Sequence, residues 1–178
     1  MGPAALRRVV LTGSESTGKS TLAATLARRY GTPWTPEAAR LYVEALGGAP
    51  LGYDDVERIA RAHIKAADEA AAHARGLLVL DTDLVSTVVY SRHYYGACPG
   101  WVEREARERL ADLYLLLHPD VPWLPDPARD RPDARDAIHA LFEDILESFG
   151  AHVADVRGSF AEREARAVEA IDSLMGEG

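Results

Sequence analysis

The chain has 178 residues, 47% of them hydrophobic and 27% charged, with a formal net charge of −8. That length fits one domain over residues 1–178, and no apolar run approaches the ~20 residues of a membrane span. The acidic balance, with no basic run beyond Arg7-Arg8 and Arg28-Arg29, weakly disfavours nucleic acid and anionic membrane, and neither is expected as a partner.

Leu6–Thr12 reads as a strand and Leu22–Tyr30 as a helix. Between them lies the pattern G-x-x-x-x-G-K-[ST], filled by Gly13, Ser14, Glu15, Ser16, Thr17, Gly18, Lys19 and Ser20, with Thr21 following. This is a phosphate-binding loop in its required strand–loop–helix setting. Backbone N–H groups at a helix N-terminus favour negative charge, and glycine lets the backbone approach a phosphate closely. Residues 13–21 are therefore expected to bind ATP. Lys19 would reach the β- and γ-phosphates, and the Ser20 hydroxyl would ligate Mg²⁺.

A short strand is expected at Thr32–Thr35 and a helix over Pro36–Leu46, ending at Gly47-Gly48. Glu37 and Arg40 stand three apart on one face of that helix. They form either a surface ion pair or a working pair, in which Glu37 takes the proton of an acceptor hydroxyl and Arg40 holds charge. Asp54–Arg75 carries apolar residues at helical spacing and stops at Gly76.

Leu77–Asp81 is a fully apolar strand that ends in an acid. Asp81 is expected to hold Mg²⁺ beside Ser20, as aspartates at this place do in phosphate-loop proteins. Asp83 is expected either to cap the next helix or to face substrate. The letters Asp-Thr-Asp lack the glutamate that polarises water in motor ATPases, which favours transfer to a bound acceptor over hydrolysis.

Helices follow at Asp83–His93 and Trp101–Ala111, and a strand at Asp112–Leu117. The segment Pro119–Pro132 holds five prolines and, continued to Asp136, Arg129, Arg131 and Arg135 among aspartates. It is either a solvated charged loop or a lid over about 119–136 that brings an arginine to the transferring phosphoryl. A helix at Asp133–Phe149, a strand at Ala151–Val156 and a helix at Ser159–Met175 complete the chain. Alternation of apolar runs with helical patterns predicts an α/β three-layer phosphate-loop NTPase fold, a five-stranded parallel sheet of expected order 2-3-1-4-5 flanked by helices.

Cys98 is the single cysteine, which excludes an intrachain disulfide and a thiolate cluster. The six histidines are scattered without the spacing of a zinc helix, and His63 and His73 are read as surface or boundary residues of their helix. The N-terminus lacks the apolar core of a signal peptide, so a cytoplasmic location is expected.

The ordered segments resemble the ribosylnicotinamide kinase domain of NadR-type NAD-salvage proteins. The matching pieces are residues 13–21, Glu37-Ala-Ala-Arg40 with Tyr42, Leu80-Asp-Thr-Asp83, Tyr94-Tyr-Gly96 and Asp112-Leu-Tyr-Leu-Leu116. Trp123-Leu-Pro-Asp126 with Arg129, and Gly158-Ser-Phe with Arg163, close the set, which runs over about residues 6–175. The resemblance implies ATP- and Mg²⁺-dependent phosphorylation of the ribose 5′-hydroxyl of nicotinamide riboside. It implies Lys19, Glu37, Asp81 and Arg129 as catalytic residues, and Glu37, Arg40, Asp83, Tyr94, Trp123 and Asp126 at the substrate.

In that family an aromatic pair stacks on the nicotinamide. One member falls at Tyr94; the other would precede Glu37, where Pro36 stands, with Trp34 two residues earlier. Pro36 and Ala38 depart from the family's aromatics, which bears on the base accepted rather than on phosphoryl transfer. The alternatives are a kinase of another nucleoside or small metabolite, and an ATPase switch acting with a protein partner. The 178 residues leave no room for a separate adenylyltransferase domain, so the chain is not expected to complete NAD synthesis. A homo-oligomer is compatible with the sequence.

Overall fold

The computed structural model describes residues 5–122 and 132–177. Five parallel strands form one sheet in the order β2-β3-β1-β4-β5, as the alternation of elements predicts. They are β1 (Arg7–Thr12), β2 (Trp34–Thr35), β3 (Leu77–Asp81), β4 (Leu113–Leu117) and β5 (Val153–Val156). The helices are α1 (Lys19–Tyr30), α2 (Ala38–Ala45), α3 (Val56–His73), α4 (Leu84–Tyr95), α5 (Gly100–Glu108), α6 (Arg135–Phe149) and α7 (Phe160–Gly176).

Side chains alternate across a strand, so each central strand feeds two cores. Val9, Leu11, Leu77, Val79, Leu113, Leu115 and Leu117 pack against α1 and α7 through Leu22, Leu26, Ala167 and Ile171. Val10, Leu78, Leu80, Tyr114 and Leu116 pack on the other face against α3, α4, α5 and α6 through Ala60, Val85, Val88, Val102, Ile138 and Phe142. Both layers are needed, because a sheet of continuous Leu and Val runs has no polar face to offer water.

Several boundaries differ from the sequence reading for local reasons. The segment Thr32–Thr35 pairs only at Trp34 and Thr35, at the sheet edge. α2 begins at Ala38, with Glu37 rather than Pro36 at its cap. Before α3, Tyr53–Asp55 forms a 3₁₀ turn whose Asp55 carboxylate accepts from the Gly52 N–H at 2.9 Å. α3 ends at His73, since Ala74 is already extended. α7 starts on a reciprocal cap: Ser159 accepts from Glu162 N–H, and the Glu162 carboxylate accepts from Ser159 N–H at 2.7 Å.

Parallel strands all point their carboxyl ends the same way, and loops there carry the chemistry in such sheets. The order β2-β3-β1 brings together the residues after Thr35, at Asp81 and after Thr12.

Candidate active site

Between β1 and α1 the chain turns through residues that need unusual backbone angles. Gly13 lies at φ +130°, and a Cβ there would sit 2.5 Å from the Leu117 carbonyl oxygen. Gly18, at φ +85°, caps α1 without a side-chain hydrogen bond. The N–H groups of Lys19, Ser20 and Thr21 thus begin the helix without intrahelical acceptors, and the first turn holds no acid to compete with an anion. The loop is a cradle for phosphate, as its letters predict.

Its shape is held from inside and outside. Lys19 is buried, and its Nζ donates to the Ser14 carbonyl at 2.7 Å; Thr17 Oγ1 donates to the same oxygen at 3.0 Å. From outside, Arg163 donates to the carbonyls of Thr17 at 3.1 Å, His118 at 2.9 Å and Gly158 at 2.8 Å, and pairs with Asp120. Arg135, the first residue of α6, donates to Val121 O at 3.0 Å and reaches Ser16 O at 3.5 Å. One buried guanidinium therefore ties the loop to β4, to the turn after β5 and to α7. Sequence reasoning gave Arg163 no task of its own. Its signal was an arginine in line with Ala167 and Ile171, on the face of α7 that should be apolar.

Ser20 Oγ donates to Asp81 Oδ2 at 2.5 Å, although 61 residues separate them. A hydroxyl and a carboxylate meeting at the mouth of the cradle supply the hard oxygen ligands that Mg²⁺ prefers. Ser20 and Asp81 thus meet, and their donor chemistry fits that ion. Thr82, next in the chain, holds φ +65° and is buried. That is a strained angle for a β-branched residue; its N–H bonds the Leu11 carbonyl at 3.0 Å.

Asp83 turns the other way. It caps α4 by accepting from Val85 N–H at 3.0 Å, and its other oxygen accepts from the Tyr114 hydroxyl at 2.6 Å. Burial pushes its pKa up to about 6, against these hydrogen bonds. The cap reading is the one the structure realises. Each carboxylate oxygen accepts from a donor within the fold, and Asp83 also lines the small cavity beside Thr35 and Pro36. The letter that hinted at this is the lone hydroxyl of Tyr114 in the strand Leu-Tyr-Leu-Leu-Leu.

Glu37 caps α2 just past the carboxyl end of β2, with only 11% of its side chain exposed. Arg40 Nε lies 3.9 Å from its carboxylate, a loose pair on one helical face as predicted. His63 of α3 is buried, which corrects its reading as a surface or boundary residue. Burial drives its pKa down to about 4, opposed by the Glu37 carboxylate. His63, Thr35, Pro36 and Asp83 line a cavity of about 40 Å³ beneath the site. His73 is exposed, as expected.

Tyr94 stands on the last turn of α4, stacked on Tyr90 at a centroid distance of 6.1 Å. Its hydroxyl donates to Glu15 of the phosphate loop at 3.4 Å, so it borders the cradle. Trp34 packs into the α1/α7 core on the opposite face of the sheet and does not stand in for a second ring beside Tyr94. Trp123, Asp126 and Arg129 lie outside the described residues. Among the described residues no helix is long and apolar enough to cross a membrane.

Residues 8–163 match the family model described as an AAA domain. The chain is 33% identical to the trifunctional NAD biosynthesis/regulator protein NadR of Salmonella typhimurium, in an alignment covering 98% of this chain and 44% of that protein. It superposes with a TM-score of 0.78 on the crystal structure of a NadR protein in complex with NR, at 25% identity, covering 96% of this chain and 51% of that one. A NadR structure in complex with NAD and AMP-PNP gives 0.78 at 26% identity, covering 96% and 50%. The chain spans about half the length of these relatives.

Proposed function

We propose that this chain, which belongs to the AAA domain family, transfers the terminal phosphoryl of ATP to the ribose 5′-hydroxyl of nicotinamide riboside, giving nicotinamide mononucleotide. One observation carries the reading. The carboxyl ends of β1, β3 and β2 set Lys19 and Ser20, Asp81, and Glu37 in that order along a single sheet edge. Phosphate cradle, metal ligands and a shielded carboxylate thus lie side by side. The NadR relatives solved with NR and with AMP-PNP support the choice of acceptor and donor.

In this mechanism the N–H groups of residues 14–21 and the Lys19 ammonium hold the triphosphate. Lys19 exchanges the Ser14 carbonyl for phosphate oxygens as it does so. Ser20 and Asp81 would hold Mg²⁺, whose charge offsets that building on the phosphate oxygens. Glu37 accepts the proton of the acceptor hydroxyl while that oxygen forms its bond to the γ-phosphorus. The bond from the γ-phosphorus to the bridging oxygen breaks, and ADP leaves. Arg135, anchored beside the loop, contributes positive charge at the phosphate end. Tyr94 offers the pyridinium an aromatic face. The chemistry needs no membrane or nucleic acid, and the cytoplasm is the matching location.

ADP release in the presence of nicotinamide riboside and a panel of other nucleosides tests this. Nicotinamide riboside should give the fastest turnover, lost in Lys19→Ala. A faster rate with another nucleoside would move the acceptor, to which the Pro36 and Ala38 departures are relevant. ADP release that ignores every acceptor would indicate an ATPase switch.

A further inference from the structure

At the carboxyl end of β4, the fold gathers two histidines that the sequence scatters. His118 follows β4, and His139 lies on the inner face of α6, with Glu143 one turn further on. The two rings are 4.2 Å apart between centroids. One ligand atom from each of His118, His139 and Glu143 falls within 4.8 Å of the other two. His139 Nε2 is 3.5 Å from Glu143 Oε1, and His118 Nε2 is 2.6 Å from Asp155 Oδ1.

The ring of His139 is the informative group. The residue is 8% exposed, yet neither of its ring nitrogens makes a hydrogen bond. A buried imidazole left this way forfeits interactions it would have in water. A second imidazole and a carboxylate both stand within reach of it. We propose that His118, His139 and Glu143 form a transition-metal site, distinct from the Mg²⁺ ligands Ser20 and Asp81, that takes Zn²⁺ or a similar borderline divalent cation.

The chemistry matches that class of ion. Two imidazoles and one carboxylate form a common zinc donor set, and imidazole nitrogen disfavours Mg²⁺ and Ca²⁺. Asp155 bonds the His118 ring as second-layer carboxylates bond metal-ligating histidines, fixing its orientation. Arg157 is a nearby cation, and Glu143 and Asp155 oppose it. Such an ion would join the end of β4 to α6. The His118 carbonyl already receives Arg163, which also holds the phosphate loop at Thr17.

Co²⁺ titration of the chelator-treated full chain, without ATP and read by visible absorption, tests the proposal, with Zn²⁺ as competitor. One equivalent of Co²⁺ should bind with bands of a nitrogen- and oxygen-ligated ion, and Zn²⁺ should displace it. His139→Gln and Glu143→Gln should each weaken binding at least about tenfold, while Ser20→Ala leaves it unchanged. Glu143 is half-exposed on a helix, so its variant tests the site even if the His139 variant does not fold. Loss of binding in Ser20→Ala, a thiolate charge-transfer band from Cys98, or unaltered affinity in Glu143→Gln would each overturn it.

Discussion

The Tyr114 hydroxyl donates to Asp83 at 2.6 Å, joining the interior of β4 to the first turn of α4. The same oxygen accepts from the Ala111 N–H at 3.3 Å, and the Tyr114 side chain is fully buried. Tyr114→Phe keeps the ring packing but leaves a buried carboxyl and a backbone N–H each short of a partner. Stability should fall by about 1–3 kcal/mol, read as a lower urea midpoint with an unchanged slope.

The same carboxyl carries a pH dependence whose sign is fixed. Asp83 is raised by burial from 3.8 to about 6, so between those values the folded state holds its proton and the unfolded state does not. Its contribution to stability therefore declines as pH rises across that window and is level above it. His63 acts oppositely. It is lowered by burial from 6.5 to about 4, so the unfolded state binds the extra proton and stability climbs with pH over the same range. Melting curves from pH 4 to 7 should rise more steeply with pH for Asp83→Asn than for the parent chain. Identical profiles would mean that Asp83 titrates normally.

Gly13→Ala should fail sterically. Its Cβ would meet the Leu117 carbonyl oxygen at 2.5 Å, on a backbone at φ +130°. The loop must move away from β4, and the strained angle alone costs about 1–3 kcal/mol. Calorimetry should find ATP affinity lost or greatly weakened, together with a lowered melting temperature. Retention of both would contradict the closeness of that strand end.

Glu37→Gln preserves size and hydrogen bonding but cannot accept a proton. With Glu37 as the proposed base, kcat should drop by about 10²–10⁴-fold, while the KM for ATP moves far less. An unaltered kcat would assign proton removal to another group or to solvent.

Arg163 bonds three backbone carbonyls and Asp120 from an almost wholly buried position. Arg163→Ala removes all of these at once and strands backbone carbonyls around the loop; a loss of about 1–3 kcal/mol is expected for each one left buried without a partner. Arg163→Lys keeps the charge but not the planar fork, and should recover only part of this. A denaturation midpoint for Arg163→Lys equal to that of the parent chain would show that charge alone suffices.

Much of the layout was legible in local chemistry. Leu77–Asp81 has the bounds read from sequence, because four apolar positions followed by an acid leave no competing period. The phosphate loop was legible because its glycines, lysine and serine are consecutive. Features that depend on distant partners were not. His63 looked peripheral because its helix is largely polar, and only the packing of α3 on the sheet buries it. Trp34 lies close in sequence to Glu37, but strand alternation sends it to the other core. His118 and His139 are 21 positions apart in sequence, and neither spacing nor composition hints that β4 and α6 stack their rings. Asp83 is ambiguous in sequence because its partner Tyr114 lies 31 residues further on.

Thr82 separates two aspartates that behave as different reagents. Its left-handed backbone reverses the heading of the chain within one residue, so Asp81 meets Ser20 and Asp83 meets Tyr114. A regular strand would have pointed both acids to the same side. The tight kink leaves one carboxylate beside Ser20 at the phosphate loop and sets the other, its pKa raised by burial to about 6, as scaffolding under α4. A single awkward torsion thereby divides labour between identical side chains.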